Sequence, residues 1–141
     1  MTDQTIHATT VAWQGKGALI LGASGRGKSG LALALMALGA DLVSDDRTVL
    51  TAGPGGLWAA PPPAIAGMIE ARGVGLLRAA HLPQARVALC VDLDQTETRR
   101  LPDPRHVPFL GCDIPCLHKV DSPYFAAAIL QYLKAGPKVL S

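Results

Sequence analysis

Residues 17–29 read GALILGASGRGKS, and this stretch sets the architecture of the chain. The apolar run GALIL (17–21) leads into GASGRGKS (22–29), and a second apolar run, LALALMAL (31–38), follows. A plain turn needs one or two small residues. Here three glycines fall within six positions and Lys-Ser comes next. The stretch matches G-x-x-x-x-G-K-[ST], whose chemistry is phosphate binding. Glycine lets successive backbone N–H groups point inward with no Cβ in the way. The loop delivers the anion to a helix N-terminus, where unpaired N–H groups and the helix dipole favour negative charge. Lys28 has the reach for terminal phosphates, and the Ser29 hydroxyl can ligate Mg²⁺. Gly22, Ala23, Ser24, Gly25, Arg26, Gly27, Lys28 and Ser29 therefore form the candidate cradle for a nucleoside triphosphate or similar polyphosphate. The loop fixes the ligand class and leaves the reaction open.

The segments around this loop read as strands and helices of an α/β domain. VAW (11–13), the turn QGKG (14–17) and ALIL (18–21) make residues 8–21 a hairpin. Strong helix formers run from Lys28 to Ala37, with Gly39 as a stop and a nearly all-apolar surface that predicts a buried helix. ADLVSDD (40–46) is a short strand ending in two acids. TVL (48–50) and LWAA (57–60) flank a glycine-rich turn, a second hairpin. Residues 64–77 start helical and end extended, and RVALCVDLD (86–94) is the central strand. QTETRRLPDPRH (95–106) reads as an exposed loop. Ser122 is placed as the cap of a final helix over 123–134 with Pro123 at its first position, and AGPKVLS (135–141) as a tail.

Composition bounds the function. A chain of 141 residues fits one domain, 1–141. With 49% hydrophobic and 17% charged residues it can fill a core. A net charge of +2 and 4% aromatic residues argue against a nucleic-acid platform. No apolar run reaches membrane-spanning length, and MTDQTIHATT lacks the marks of a secretory signal. Three cysteines, Cys90, Cys112 and Cys116, fit reduced thiols in a cytoplasm. Cys112 and Cys116 with His106 and His118 match no common pair of zinc-ligand knuckles.

A phosphate loop needs a nearby acid to hold magnesium or take a proton. Two strand ends offer one: Asp45-Asp46 after LVS, and Asp92 or Asp94 in ALCVDLD. Adjacent acids beside a polyphosphate can divide two roles, one assisting the metal and one deprotonating an attacking hydroxyl. Glu70 lies in IEARGVGLL, where two glycines beside a charged pair suggest backbone packed closely on a ligand or another chain.

Together these pieces resemble the catalytic domain of HPr kinase/phosphorylase, which phosphorylates a serine of a phosphocarrier protein. HATTVAWQGKGALILGASGRGKS (7–29), ADLVSDDRTVL (40–50) and MIEARGVGLL (68–77) carry the likeness, with RRLPDPRHVPFLGCDIP (99–115) adding a looser match. The resemblance implies a P-loop kinase-like core of the PEP carboxykinase-like kind, a mixed sheet with few helices. It implies ATP and Mg²⁺ as cofactors, and HPr or a nitrogen-type paralogue as partner. It also implies a homo-oligomer, hexameric in the family. In roles, it implies Lys28 and Ser29 on phosphate and magnesium and Glu70 as a further metal ligand, with Asp45 beside them. It implies Asp46 as the base, His7 as its support and Arg100 on the transferring phosphoryl group. The sequence departs from the family at Ala23 and Gly30, where acids are usual. It also has HKVDSP (118–123) where an arginine-rich loop tied to dephosphorylation is typical, which predicts weak or absent phosphorylase activity. A small-molecule kinase and a nucleotide-sensing module built on the same loop are the competing readings.

Overall fold

The computed structural model describes residues 3–138, so the end of the expected tail, 139–141, lies outside the described residues. The chain opens with β1 (Asp3–Ile6), β2 (Ala8–Trp13) and β3 (Lys16–Leu21), then α1 (Lys28–Ala37) and β4 (Asp41–Ser44). β2 and β3 pair antiparallel through the turn at Gln14-Gly15, as the hairpin pattern predicts. β5 (Thr48–Gly53) and β6 (Gly56–Ala60) form the second hairpin. A short 3₁₀ turn at Pro63–Ile65 precedes β7 (Met68–Ala71) and β8 (Gly75–Arg78). The helical start expected for 64–77 is thus one turn, and the rest is a two-stranded antiparallel ribbon. The long β9 (Ala85–Thr96), the hairpin β10 (His106–Phe109) and β11 (Cys112–Lys119), and α2 (Phe125–Ala135) complete the chain.

Among the described residues, nine strands form one mixed sheet with the path β1-β5-β6-β9-β3-β2-β4. β3 runs parallel along one edge of β9, and β6 and β11 share the other edge. β11 is also parallel to β9, a non-local pairing that the apolar pattern did not reveal. Past β8 the chain runs back along β4, where Leu42 N–H donates to Ala80 O and Leu82 N–H to Leu42 O.

The core lies on both faces of the sheet. Ala18 and Ile20 of β3 and Leu89, Val91 and Leu93 of β9 pack with Leu35 of α1 and with Phe125, Ile129 and Leu133 of α2. Leu19, Leu50, Leu57, Val87 and Cys90 fill the opposite face. Strand side chains alternate faces, yet Val87 and Cys90 share one. A register shift between Gly17 and Ala18, opposite Val87 and Leu89, accounts for this: an extra residue there reverses the alternation.

Two local expectations are corrected. α1 buries only Lys28, Ala32 and Leu35, and Leu38 beyond its end is half exposed, so the helix lies on the sheet rather than inside the core. Its apolar outer residues simply meet solvent. Ser122 does not cap α2, which begins at Phe125 with Tyr124 as its N-cap. Phe125 N–H instead donates to the Ser122 carbonyl, one turn ahead of the helix.

Candidate functional site

The loop between β3 and α1 faces a cavity of about 550 Å³. Its walls include Ser24, Gly25, Gly27, Lys28 and Ser29 of the loop, Asp45 and Asp46 after β4, and Glu70, Arg72 and Val74 of the β7–β8 ribbon. Gly27 is the N-cap of α1 with φ 96°, and no side chain caps the helix. The first-turn N–H groups of the helix lack intrahelical partners by geometry, so this end presents donors to the cavity. Gly22 serves the packing of the loop instead. A Cβ there would crowd Leu93 Cβ and Arg26 Cβ at 3.2 Å, so glycine lets the loop close onto β9 without displacing either.

The Lys28 side chain is 6% exposed. Its Nζ donates to Gly22 O at 2.7 Å and lies 3.8 Å from Asp46 Oδ1. Lys28 thus folds across its own loop, held by a carbonyl that a phosphate oxygen can replace.

Asp45 ties three elements together. Its Oδ1 accepts from Ser29 Oγ at 2.8 Å and from Thr9 Oγ1 at 3.1 Å, and its Oδ2 accepts from Glu70 N–H at 2.9 Å. Asp46 adopts φ 64°, a left-handed conformation that aspartate tolerates better than most residues and that is found at strained functional turns. Its backbone N–H donates to Thr9 Oγ1 at 3.0 Å. Ser44 Oγ donates to Arg47 O and closes the same turn. His7 Nδ1 lies 3.7 Å from Asp46 Oδ1, so His7 and Lys28 flank one carboxylate oxygen.

The acids of β9 behave differently. Asp94 accepts the Ala23 N–H at 3.1 and 3.2 Å and pairs with Arg26 Nε at 3.4 Å, so it holds the loop from behind. Asp92 accepts Asp94 N–H at 2.9 Å, and neither acid lines the cavity.

The expected residues thus divide. Lys28, Ser29, Asp45, Asp46 and Glu70 come together, with His7 in contact through Asp46. Gly22, Ala23 and Arg26 shape the loop without lining the cavity. Arg100 is exposed in the 97–105 loop and does not line the cavity. That loop is latched at its base by Glu97 and Arg105. The Arg105 guanidinium, with the backbone N–H groups of Arg99 and Thr98, holds the Glu97 carboxyl down at about 2. Sequence reading missed Thr9, a buried strand threonine like many others, and Arg72, whose clue was the glycine-flanked E-x-R that starts at Glu70.

Residues 1–106 match the family described as HPr Serine kinase C-terminal domain. The chain is similar to the HPr kinase/phosphorylase of Streptococcus thermophilus, 37% identical over 101 residues covering 66% of this chain and 33% of that one. It is similar to the HPr kinase/phosphorylase of Cupriavidus necator, 34% identical over 122 residues covering 78% and 38%. It therefore spans little more than a third of the length of these relatives. Among solved structures, that of the Hpr(Ser) kinase/phosphatase from Coxiella burnetii matches with a TM-score of 0.77 and 26% identity, covering 93% of this chain and 88% of that one. The α/β mixed sheet with two helices is the architecture they share.

Proposed function

This chain belongs to the HPr Serine kinase C-terminal domain family, and on that premise we propose that it is an ATP- and Mg²⁺-dependent serine kinase. Its substrate in this reading is the phosphocarrier protein HPr or its nitrogen-type paralogue, within regulation of a phosphotransferase system. One observation carries the reading: Asp46 Oδ1 sits between Lys28 Nζ and His7 Nδ1, at 3.8 and 3.7 Å, on the rim of the phosphate-loop cavity.

The donor set suits the cofactors. Ser29, Asp45 and Glu70 offer hard oxygen atoms on one wall of the cavity. Mg²⁺ takes few protein ligands and completes its shell with water and phosphate oxygens. When bound, the ion neutralises charge on the polyphosphate. The residues do the rest by position and charge, which is where phosphoryl-transfer enzymes gain most of their rate. The amides of Gly25 to Ser29 and the N-terminus of α1 hold phosphate oxygens. Lys28 leaves Gly22 O for the terminal phosphate. Asp46 accepts the proton of the attacking seryl hydroxyl, and His7 orients that carboxylate. The arginine role falls to Arg72, which lines the cavity, rather than to Arg100.

The exposed apolar side chains of the β7–β8 ribbon, with Val74 75% and Leu76 64% exposed, support the homo-oligomer that the reading includes. The free thiols of Cys90, Cys112 and Cys116 support a cytoplasmic setting. Among the described residues no helix is long and apolar enough to cross a membrane. Phosphorylase activity is proposed to be weak or absent, because HKVDSP (118–123) is here the end of β11 and the turn into α2. The deciding experiment incubates the chain with Mg-ATP and purified carrier and maps the modified residue by mass spectrometry. A single phosphoserine on the carrier is expected. ATP turnover with an unmodified carrier overturns the reading. Robust formation of pyrophosphate from phosphorylated carrier and inorganic phosphate overturns the phosphorylase part.

A further inference from the structure

On the sheet face away from the helices, Cys90 of β9 and Cys116 of β11 are register partners on neighbouring parallel strands. Their Sγ atoms lie 3.4 Å apart. Cys90 is fully buried and Cys116 is 6% exposed. Their surroundings are apolar, with Leu19, Leu50 and Ile114 in the same cluster. Beside Cys116 Sγ lie the Leu117 carbonyl, 3.6 Å away, and the Asp92 backbone N–H, which donates to the sulfur. Among the described residues, no group of three or more His, Cys, Asp or Glu is placed to hold a metal ion. Adjacent strands run about 4.8 Å apart, inside the Cα separation of about 4.4–6.8 Å that a disulfide spans. Bonding therefore needs side-chain rotation and little backbone movement.

We propose that Cys90 and Cys116 are a redox modification site, closing to a reversible disulfide when a peroxide reaches them. The two thiols are unequal. The hydrogen bond from Cys90, helped by the Asp92 backbone N–H and the Arg105 charge and opposed by burial and the Asp92 carboxylate, draws the Cys116 thiol below its ordinary range. The same pairing, with burial, pushes the Cys90 thiol up. Cys116, which keeps a narrow exposure, is thus the attacking sulfur. Its thiolate attacks one peroxide oxygen, forming an S–O bond, breaking the O–O bond and releasing water once a proton is taken up. The Cys90 sulfur then attacks the sulfenic sulfur of Cys116, forming S–S and expelling hydroxide, which leaves as water with the Cys90 proton. Two thiols and one peroxide give one disulfide and two waters. A dithiol reverses the step by exchange. The bond would staple the β10–β11 hairpin to β9, four residues before the Asp94 that holds the phosphate loop.

The test treats the full folded chain with hydrogen peroxide, alkylates the remaining thiols and maps the peptides. The expected product has lost two hydrogens, links the peptides of Cys90 and Cys116, keeps Cys112 alkylatable and returns to three thiols with dithiothreitol. Cys112→Ala should leave this pattern unchanged, and Cys116→Ala should abolish it. Should the Cys116 variant not fold, the wild-type map alone decides. Linkage through Cys112, stable sulfinic acid at Cys116, or three thiols still alkylatable after peroxide each overturns the proposal.

Discussion

Two pairs of acids stand beside the same loop, one after β4 and one inside β9, and they do opposite things. Asp45-Asp46, after β4, face the cavity, bond Ser29 and lie near Lys28. Asp92 and Asp94, in β9, turn to backbone: Asp94 holds Ala23 N–H and Asp92 holds Asp94 N–H. In sequence both read as an apolar strand followed by acids. The difference comes from where each strand meets the loop. β9 lies beside β3 and reaches the loop from behind its first glycine. β4 lies on the other side of β2, and its end comes round to the front of α1. A carboxylate that bonds the loop's own backbone from behind, as Asp94 does, becomes scaffold, and one beside a lysine and a histidine on a cavity rim is available for proton transfer.

The sharpest way to break this contrast is to remove one acid at a time. Asp46→Asn should lower serine phosphorylation by about 10³-fold, the middle of the usual range for a lost general base, and leave the nucleotide Kd within a few fold. Single-turnover transfer and nucleotide titration measure the two arms, and a wild-type transfer rate would remove Asp46 from its assigned role. Asp94→Ala should reverse the pattern. Losing charge-assisted bonds to Ala23 and Arg26 costs about 1.5–3 kcal/mol if the loop must hold its shape to bind, so nucleotide Kd should rise by about tenfold or more. Transfer from saturated enzyme should fall far less than in Asp46→Asn.

Thr9 tests whether the front pair depends on its support. It is fully buried and bonds both aspartates. Thr9→Val should destabilise the chain by about 1–3 kcal/mol, because the Asp46 N–H loses its partner. Urea unfolding measures this, and an unchanged midpoint would mean the turn is held without Thr9. The smallest effect belongs to a third acid, Glu97, which again serves backbone and an arginine. Its carboxyl sits at about 2, below the ordinary 4.5, so the latch is fully formed above that ordinary value and is lost as pH falls toward 2. Amide-exchange protection of Thr98 and Arg99 should fall over that window in the wild-type chain. In Glu97→Gln it should be low throughout, and identical profiles in the two proteins would rule the latch out.

Much of the fold was legible because it is local. The hairpin over 8–21, the helix from Lys28 to Ala37, the strand ending at Ser44 and the second hairpin all depend on neighbours a few residues away. Residues 64–77 misled because Ala64 to Ala66 favour helix while Gly67, Gly73 and Gly75, all with positive φ, impose a ribbon. β11 was hidden because parallel pairing with β9 joins residues 26 apart, with no turn between them to signal it. At the site, Lys28 and Ser29 were legible through a motif whose spacing follows from phosphate geometry, and the role of Asp46 only through the family resemblance. Arg72 and Arg100 carry the same side chain, and only the fold sets one on the cavity wall and the other on an exposed loop.

The anion cradle and the α/β class follow from short stretches of chain, because glycine conformation, helix dipole and apolar period act over a few residues. Long-range packing selected which acids meet that cradle, which arginine lines it, and that two thiols 26 residues apart lie in contact. Those outcomes depend on strand order and on one reversed alternation in β9, which arise from long-range packing that short stretches of chain do not encode.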